Sequence, residues 1–471
     1  AASLGNLGLM YLYRGLYAKA EPFVQRALAI LEKLREPDRS DRLYIAKILG
    51  IQGSIYAQQG LFSKAEPLYR RAMAINEEEF GPEHPNTADS LSDLADLYAE
   101  FHNNQSLATK AEHFYKRALA IYENLFPPEH LVIATNLSNL ALLYDNKGLY
   151  AKAGPLYQRA LIIFEKNYGP KHPNTAMSIN NLAVVFSRQG IYARAEPLYQ
   201  RSLAIFEEAL GTEHKDTVLV LSNLSELYEN QGFYSKAELL ARRGLAIESI
   251  LIQREAPYLP ISDRLNFLQS FGDTYQKAFS FARRGGSGAN VALFSRLNRQ
   301  GLLQEIEQRQ AQLTAVAGPQ QALANELLAV TKQLASMTLS PEQRQQLGSR
   351  QEGLEKQLYR LLPQLQPRVV EVQQVAAALP AGSALIEFQR YKPFDGRKPY
   401  VNWGDPRYLA LVLKPDGAIT PIDLGLAKPI DASIQSALEA SEQKQADAIE
   451  LWAQVGRMVA DPLSAATRGV N

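Results

Sequence analysis

Histidine is the residue type in this chain whose spacing first suggests chemistry, because imidazole can bind a metal ion or act as a general base. Four histidines recur at the same place in a repeated sequence, 46, 42 and 42 residues apart: His84, His130, His172 and His214. A zinc site needs several ligands within about 2 Å of one ion. One histidine per repeat does not bring such ligands together, so we predict no metal site.

Arginine forms a second series, one residue in each repeat: Arg26, Arg71, Arg117, Arg159, Arg201 and Arg243. A basic stripe of this kind could bind the phosphates of a nucleic acid. The net charge of +1 over 471 residues, however, gives no overall field that favours nucleic acid. We therefore expect these arginines to pack their stems on the surface and to pair with glutamates of the next repeat, and we expect no nucleic-acid partner.

The composition excludes several other kinds of site. The chain contains no cysteine, which rules out disulfides, thiolate metal sites and a cysteine nucleophile within these residues. No run of about 18 apolar residues is present, so we expect no membrane span. The segment RRGGSGAN lacks the GK[ST] of a phosphate-binding loop, and we expect no cofactor. The chain opens inside a helical pattern without an initiator methionine, from which we expect a fragment that begins inside a helix. We expect a cytoplasmic location.

Six repeats of 42 to 46 residues fill the first half of the chain. Each is marked by an alanine that follows a basic residue: Ala20, Ala65, Ala111, Ala153, Ala195 and Ala237. A period in this range is typical of a helical solenoid, which offers a long curved surface for binding. Apolar residues at i, i+3, i+4 and i+7, as from Leu137 to Tyr144, predict the first helix of each repeat.

The second helix of each repeat begins near Tyr150 or its counterpart. It carries an isoleucine that recurs in every repeat, which predicts a core position: Ile30, Ile75, Ile121, Ile163, Ile205 and Ile247. A glycine is expected to end the first helix at Gly15, Gly60, Gly148, Gly190 and Gly232. The segment GPEHPNTA connects successive repeats, and Asn86 or Thr87 is the expected N-cap of the following helix.

This pattern of small residues, aromatic residues and alanines resembles a tetratricopeptide repeat (TPR). The 42-residue unit with AEPLYQRSLAI and GPEHPNTA is similar to the kinesin-light-chain type. The resemblance implies a TPR α-solenoid superhelix, and the chain as a whole is expected to be mainly α, with a helical stalk and the start of an α/β domain after the repeats. The expected domains are a TPR array over residues 1–250, a helical extension and stalk hairpin over 251–369, and a truncated α/β domain over 370–471.

The resemblance also implies a binding surface, because first helices line the concave face of TPR arrays. The residue before the core leucine is expected there, with Ile51 as the exception: Asn6, Asp93, Asn139, Asn181 and Asn223. An amide can hold a peptide backbone as donor and acceptor, although it can also bridge neighbouring helices. Asn146, Arg188 and Asn230, two turns further on, are expected to supply selectivity.

From about Val370 the sequence changes from helical patterns to short apolar segments typical of strands. SALIEFQRY predicts a strand, RYLALVLKPDGAITPIDLG predicts a hairpin that turns at Pro415–Gly417, and two helices follow. These segments resemble the opening of a CHAT domain, a caspase-like peptidase module. CHAT peptidases use a histidine–cysteine dyad, which cannot be placed here, since every histidine lies at or before His214. We expect no catalytic residue and no enzyme activity in this chain.

The expected function is therefore protein–protein interaction. A protein or peptide ligand would lie in the TPR groove, and the array would be the regulatory or recognition arm of a CHAT-type peptidase. Two alternatives stay open: the substrate-selecting region of a cysteine protease precursor, and a cargo-adaptor-like TPR scaffold. The status of a longer protein as an enzyme also stays open.

Overall fold

The computed structural model describes most of the chain. The described ranges are residues 1–13, 17–34, 38–58, 61–100, 104–256, 274–282, 287–304, 319–334, 369–394, 403–443 and 447–468, with isolated positions between them. They divide into two compact units, one over Ala1–Ile205 and the other from Phe206 onward. Each unit is described separately below.

The first unit consists of helices that alternate between a first and a second member of each repeat. The first helices are α1 (Ala2–Tyr13), α3 (Arg39–Gln58), α5 (Pro85–Glu100), α7 (Leu131–Asn146) and α9 (Pro173–Arg188). The second helices are α2 (Tyr17–Leu31), α4 (Phe62–Phe80), α6 (Gln105–Leu125), α8 (Tyr150–Tyr168) and α10 (Tyr192–Leu210), the last of which continues into the second unit. The predicted helical repeat is confirmed.

The core of the first unit lies between these helices. The marker alanines Ala65, Ala111 and Ala153 are fully buried, which allows close packing of neighbouring helices. The recurring isoleucine is buried at Ile121 and Ile163. At Ile30, however, 43% of the side chain is exposed, so the prediction of a core position is wrong there, and Leu31 is the buried residue of that turn.

Glycine ends the first helices where the structure describes it. Gly148 and Gly190 adopt φ angles of +66° and +75°, a region that residues with a Cβ rarely occupy. Each follows its helix by two residues, as predicted. Gly15 and Gly60 lie outside the described residues.

The loop between repeats is held by its histidine. In α9 the backbone N–H of Asn174 donates to Nδ1 of His172 at 3.1 Å, and the His172 ring stacks on Tyr168 with ring centres 4.6 Å apart. His84 accepts from Asn86 N–H at 3.2 Å and stacks on Phe80 in the same way. The prediction that Asn86 or Thr87 caps the helix is therefore wrong. Imidazole supplies the acceptor, which gives the recurring histidine a structural role in the loop.

Polar contacts connect each repeat to its neighbours. The aromatic residue of a first helix donates its hydroxyl to a glutamate of the preceding second helix, as in the pairs Tyr56–Glu21 (2.9 Å), Tyr98–Glu66 (2.6 Å) and Tyr144–Glu112 (2.9 Å). A lysine from the next second helix lies over the same ring, as Lys152 does over Tyr144 at 5.2 Å. Where the glutamate is replaced by Gly154, the aromatic residue is Phe186, which has no hydroxyl.

The second unit begins with one more helix pair and continues into a helical and a β region. Its elements are α11 (Lys215–Asn230), α12 (Tyr234–Glu255), α13 (Thr274–Ala282), α14 (Ser287–Arg299), α15 (Pro319–Leu334), α16 (Val372–Ala378), β1 (Leu385–Tyr391), β2 (Arg407–Leu413), β3 (Ile419–Leu426), α17 (Ala427–Glu442), α18 (Ala448–Val459) and a 3-10 turn at Asp461–Leu463. The predicted α/β texture after Val370 is confirmed.

The strands form an antiparallel sheet in the order β1-β2-β3. The predicted hairpin turns where Gly417 adopts a φ of +83° and the Asp416 carboxylate accepts from Ala418 N–H at 2.9 Å. A β-bulge follows Tyr408. The two predicted helices after the hairpin are α17 and α18.

A single hydrophobic core joins the last helix pair to this sheet. Leu245 of α12, Phe279 of α13 and Phe294 of α14 pack in one cluster with Tyr391 of β1 and Leu411 of β2. All five side chains are buried. The β region is therefore packed on α12 to α14 within the second unit.

The predicted stalk hairpin is visible in part. Leu358 packs against Leu323 and Leu327 of α15, and Arg350 pairs with Glu326 at 2.7 Å. Leu361 and Leu362 of the expected stalk hairpin lie outside the described residues.

Candidate binding surface

The first helices of the first unit form one shared face, here called the first-helix surface. Helix α1 contacts α3, α3 contacts α5, and α5 contacts α7. Side chains connect α7 to α9 as well, through Arg188 and Asp145. Within a repeat, a small residue allows close packing of the two helices: a Cβ added at Gly53 of α3 would lie only 3.0 Å from the ring of Tyr69 on α4.

The predicted amide row lies on this surface and is accessible. Asn6 is exposed, and Asp93, Asn139 and Asn181 are partly exposed. Asn223 is also partly exposed, on α11 of the second unit. These side chains are not sealed between helices, which is the condition that peptide binding requires.

Two of these amides also bridge to neighbouring side chains. Asn139 Nδ2 donates to Asp96 Oδ1 at 3.1 Å, and Asn181 Oδ1 accepts from Asn180 at 3.3 Å. At these two positions the structure therefore shows the bridging contacts. Ile51, the exception in the series, is buried.

The residues expected to supply selectivity differ from one another. Asn146 and Asn230 are partly exposed. Arg188 forms an ion pair with Oδ2 of Asp145 at 2.7 Å, and Asp145 is buried. Burial raises the pKa of the Asp145 carboxyl, and the Arg188 guanidinium acts in the opposite direction. Arg188 therefore compensates a buried carboxylate of its own chain.

An acidic face on α5 was not recognised from the sequence apart from Asp93. Asp89, Asp93, Asp96 and Glu100 follow one another at i, i+4, i+7 and i+11, which places them on one side of the helix. Asp89, Asp96 and Glu100 are exposed. We call these four residues the α5 acidic face.

Buried tyrosines from the second helices hold two of these carboxylates. Tyr115 of α6 donates its hydroxyl to Asp96 Oδ1 at 2.5 Å, and Tyr122 donates to Asp89 Oδ1 at 2.6 Å. Tyr115 and Tyr122 are 2% and 4% exposed, so they are fixed by the core while their hydroxyls reach the first-helix surface. The packing thus orients the acidic face.

The surroundings of the acidic face oppose its charge. Desolvation, Asp96 and Asp89 raise the pKa of Asp93 to about 7. Desolvation also raises the pKa of Asp96, although Tyr115 and Asn139 donate hydrogen bonds to it. Asp96 is nevertheless exposed to solvent.

Carboxylates elsewhere in the first unit are compensated by arginine. The arginine series pairs with glutamates of the preceding repeat, as in Arg71–Glu32 (2.6 Å), Arg117–Glu77 (2.8 Å), Arg159–Glu123 and Arg201–Glu165 (2.8 Å). Arg243 and Glu207 form the same pair in the second unit. Pairing was predicted correctly, but its direction was not: the partner lies one repeat back.

Within the described part of the chain, no group of three or more histidine, aspartate or glutamate side chains is placed to hold a metal ion. No helix in the same ranges combines the length and hydropathy needed to cross a bilayer.

Comparison with protein families agrees with the helical repeat. Two family models, both described as tetratricopeptide repeat, match the chain at residues 1–41 in one case and at 44–124, 132–208 and 180–247 in the other. This chain is a tetratricopeptide repeat protein. Proteins of this kind generally mediate protein–protein interaction, and their fold is typically not enzymatic. The matches end at residue 247 and do not extend to the β region.

Several solved structures are similar to part of the chain. BtubC (BKLC) from P. vanneervenii is 25% identical, with a TM-score of 0.43 over 50% of this chain and 91% of that one. Kinesin-light-chain TPR-like repeats from Podospora anserina are 22% identical, with a TM-score of 0.40 over 44% and 96%. PilF from Pseudomonas aeruginosa is 20% identical, with a TM-score of 0.34 over 51% and 90%. No curated protein sequence matches this chain.

Proposed function

We propose that this protein recognises a partner protein by binding a peptide segment of it on the first-helix surface. The observation that carries the proposal is the accessible polar row on helices that contact one another in succession. Asn139 and Asn181 lie in this row with part of each side chain open to solvent. Polar groups inside a groove need hydrogen-bond partners, which a peptide backbone supplies.

The test uses the full chain and peptides selected from a random displayed library. Selected peptides are synthesised, and their affinities are measured for the wild type and for Asn139→Ala/Asn181→Ala. We expect about tenfold weaker binding for the double variant, with unchanged helix content by circular dichroism. The matched control is Asn86→Ala/Asn174→Ala, which removes two amides near the inter-repeat loops. Equal binding by all three proteins, or a library that gives no binder, contradicts the proposal.

We further propose that the β region belongs to a CHAT-type peptidase, of which the repeats are the regulatory or recognition arm. The order of strand, hairpin and two helices supports this assignment. The core shared by α12 and β2 also supports it. Because residues of both elements pack in this core, a movement of α12 on partner binding would shift the side chains that the sheet packs against. The decisive observation is the longer open reading frame. Histidine and cysteine after residue 471 would support the assignment, and a continuation without them would contradict it.

A further inference from the structure

The α5 acidic face differs from the recurring glutamates that pair with arginine, because it has no basic partner among the described residues. Among the described residues, no lysine or arginine forms an ion pair with Asp89, Asp93, Asp96 or Glu100. The glutamates of the second helices are instead paired with arginines. Since the chain as a whole carries a net charge of +1, this local negative charge does not reflect an acidic protein.

A buried amide beside the acidic face has a carbonyl oxygen that receives no hydrogen bond from the described residues. Asn136 of α7 is 2% exposed, and its Nδ2 donates to Ser92 Oγ at 3.0 Å. Ser92 lies on the same side of α5, between Asp89 and Asp96. The Asn136 Oδ1 atom accepts no hydrogen bond from the described residues. A buried carbonyl oxygen without a hydrogen-bond donor is uncommon, and this one belongs to a side chain that contacts α5 at Ser92.

The arrangement suits a polypeptide better than a metal ion. Seven residues of helix separate Asp89 from Asp96, which corresponds to about 10 Å along α5. No group of three or more carboxylates or histidines within the described ranges converges on one point. Carboxylates spread over this length match lysine or arginine side chains that are spaced along a peptide. Each of these cationic side chains can donate several hydrogen bonds.

We infer that the α5 acidic face selects a peptide segment with lysine or arginine side chains. This inference rests on the proposed function and names the chemistry of its ligand. Asp93 and Asp96 accept from the cationic groups, while Tyr115 and Asn139 keep Asp96 in place. Binding would supply the positive charge that the protein does not provide at this position.

The test begins with the composition of the peptides selected from the random library. We expect lysine and arginine to be enriched in them. Affinity should fall about tenfold or more in Asp93→Asn/Asp96→Asn, because two charge-assisted contacts are lost. It should stay unchanged in Glu83→Gln/Glu129→Gln, which removes the same charge from loops outside the surface. Acetylation of the peptide lysines should weaken binding in the wild type and have little effect in the aspartate variant.

Other results would overturn the inference in distinct ways. Neutral or acidic peptides that still require Asn139 and Asn181 would contradict it and leave the proposed function intact. Basic peptides that bind both double variants equally would show non-specific attraction. Spermine that binds as tightly as the peptides would show that the surface recognises amines without a polypeptide. A library without any binder would remove both the inference and the proposed function.

Discussion

The folded protein destabilises the charged form of the Asp93 side chain, because burial and the neighbouring carboxylates Asp96 and Asp89 both raise its pKa. Its folded pKa of about 7 is above the value of about 4 in an unfolded chain. The folded state therefore holds this proton more tightly, and stability contributed by the protonated group is lost as the pH rises through 7. A carboxylate kept at the expense of stability is typical of a functional position.

This setting predicts that Asp93→Asn stabilises the protein at about pH 8 by roughly 1–2 kcal/mol, after allowance for the partial exposure of the side chain. The gain should shrink as the pH falls towards about 4, because the wild-type carboxyl becomes protonated in the folded state. Urea unfolding at the two pH values measures the difference. Glu83→Gln, on an exposed loop, serves as the control. A variant that is less stable at pH 8 would show that the Asp93 carboxylate is structurally required.

The loop histidines act as caps and stacking partners in the structure. His172→Ala should therefore cost about 1–2 kcal/mol, from a lost N-cap and a lost ring contact. His172→Asn should recover part of the loss, since asparagine is a good N-cap but cannot stack. Thermal unfolding of the variants measures both effects. His113→Ala, which removes an exposed histidine inside α6, should have little effect. Equal losses at His113 and His172 would contradict the capping role.

The contact between Tyr144 and Glu112 has equivalents at Tyr56–Glu21 and Tyr98–Glu66, whereas Gly154 and Phe186 lack the carboxylate and the hydroxyl. A Cβ at Gly154 would meet only Val185, at 3.9 Å, so a glutamate fits there. These facts suggest that the hydroxyl and the carboxylate stabilise the interface between repeats as a unit.

A double-mutant cycle with Gly154→Glu and Phe186→Tyr tests this coupling. We expect the two changes together to exceed the sum of the single effects by about 0.5–1.5 kcal/mol, the range of one hydrogen bond. Gly154→Glu alone should already stabilise α8, because glycine is a poor helix former. Chemical unfolding of the four proteins provides the numbers. Strict additivity would mean that no hydrogen bond forms between the introduced side chains.

Helices and strands were predictable because the residues that build them repeat or follow known turn chemistry. The alanine and leucine spacing predicted α7 and α9, and Pro415–Gly417 predicted the turn between β2 and β3. The histidine cap was missed because histidine is not among the residues that usually cap helices. The remaining members of the α5 acidic face were missed because they occur in one repeat only, so comparison between repeats does not reveal them. Whether Ile30 is covered depends on packing, which spacing alone does not determine.

In the second unit, the last helix pair and the sheet share one core. Leu411 of β2 is fully buried there, together with Leu245 of α12. Both tryptophans, Trp403 and Trp452, belong to this unit. Their fluorescence therefore reports on the unfolding of a body that includes a repeat helix as well as strands.

Leu411→Ala should destabilise this unit by about 2–5 kcal/mol, because a buried leucine is replaced by a cavity. The tryptophan transition in urea should shift to lower concentration by a corresponding amount. Leu438→Ala, at a side chain that is 42% exposed on α17, is the matched control and should change little. A small effect of Leu411→Ala would show that the sheet is not held by the core it shares with α12.

The claim that the first-helix surface binds a basic peptide is tested most directly by locating the contact. A carbodiimide joins carboxylates to lysine amines that touch them, without a spacer. When a lysine-containing selected peptide is treated with the full chain, mass spectrometry should find the cross-links on Asp93, Asp96 and their neighbours within Pro85–Glu100. Cross-links confined to carboxylates outside this helix, with none on α5, would contradict the account.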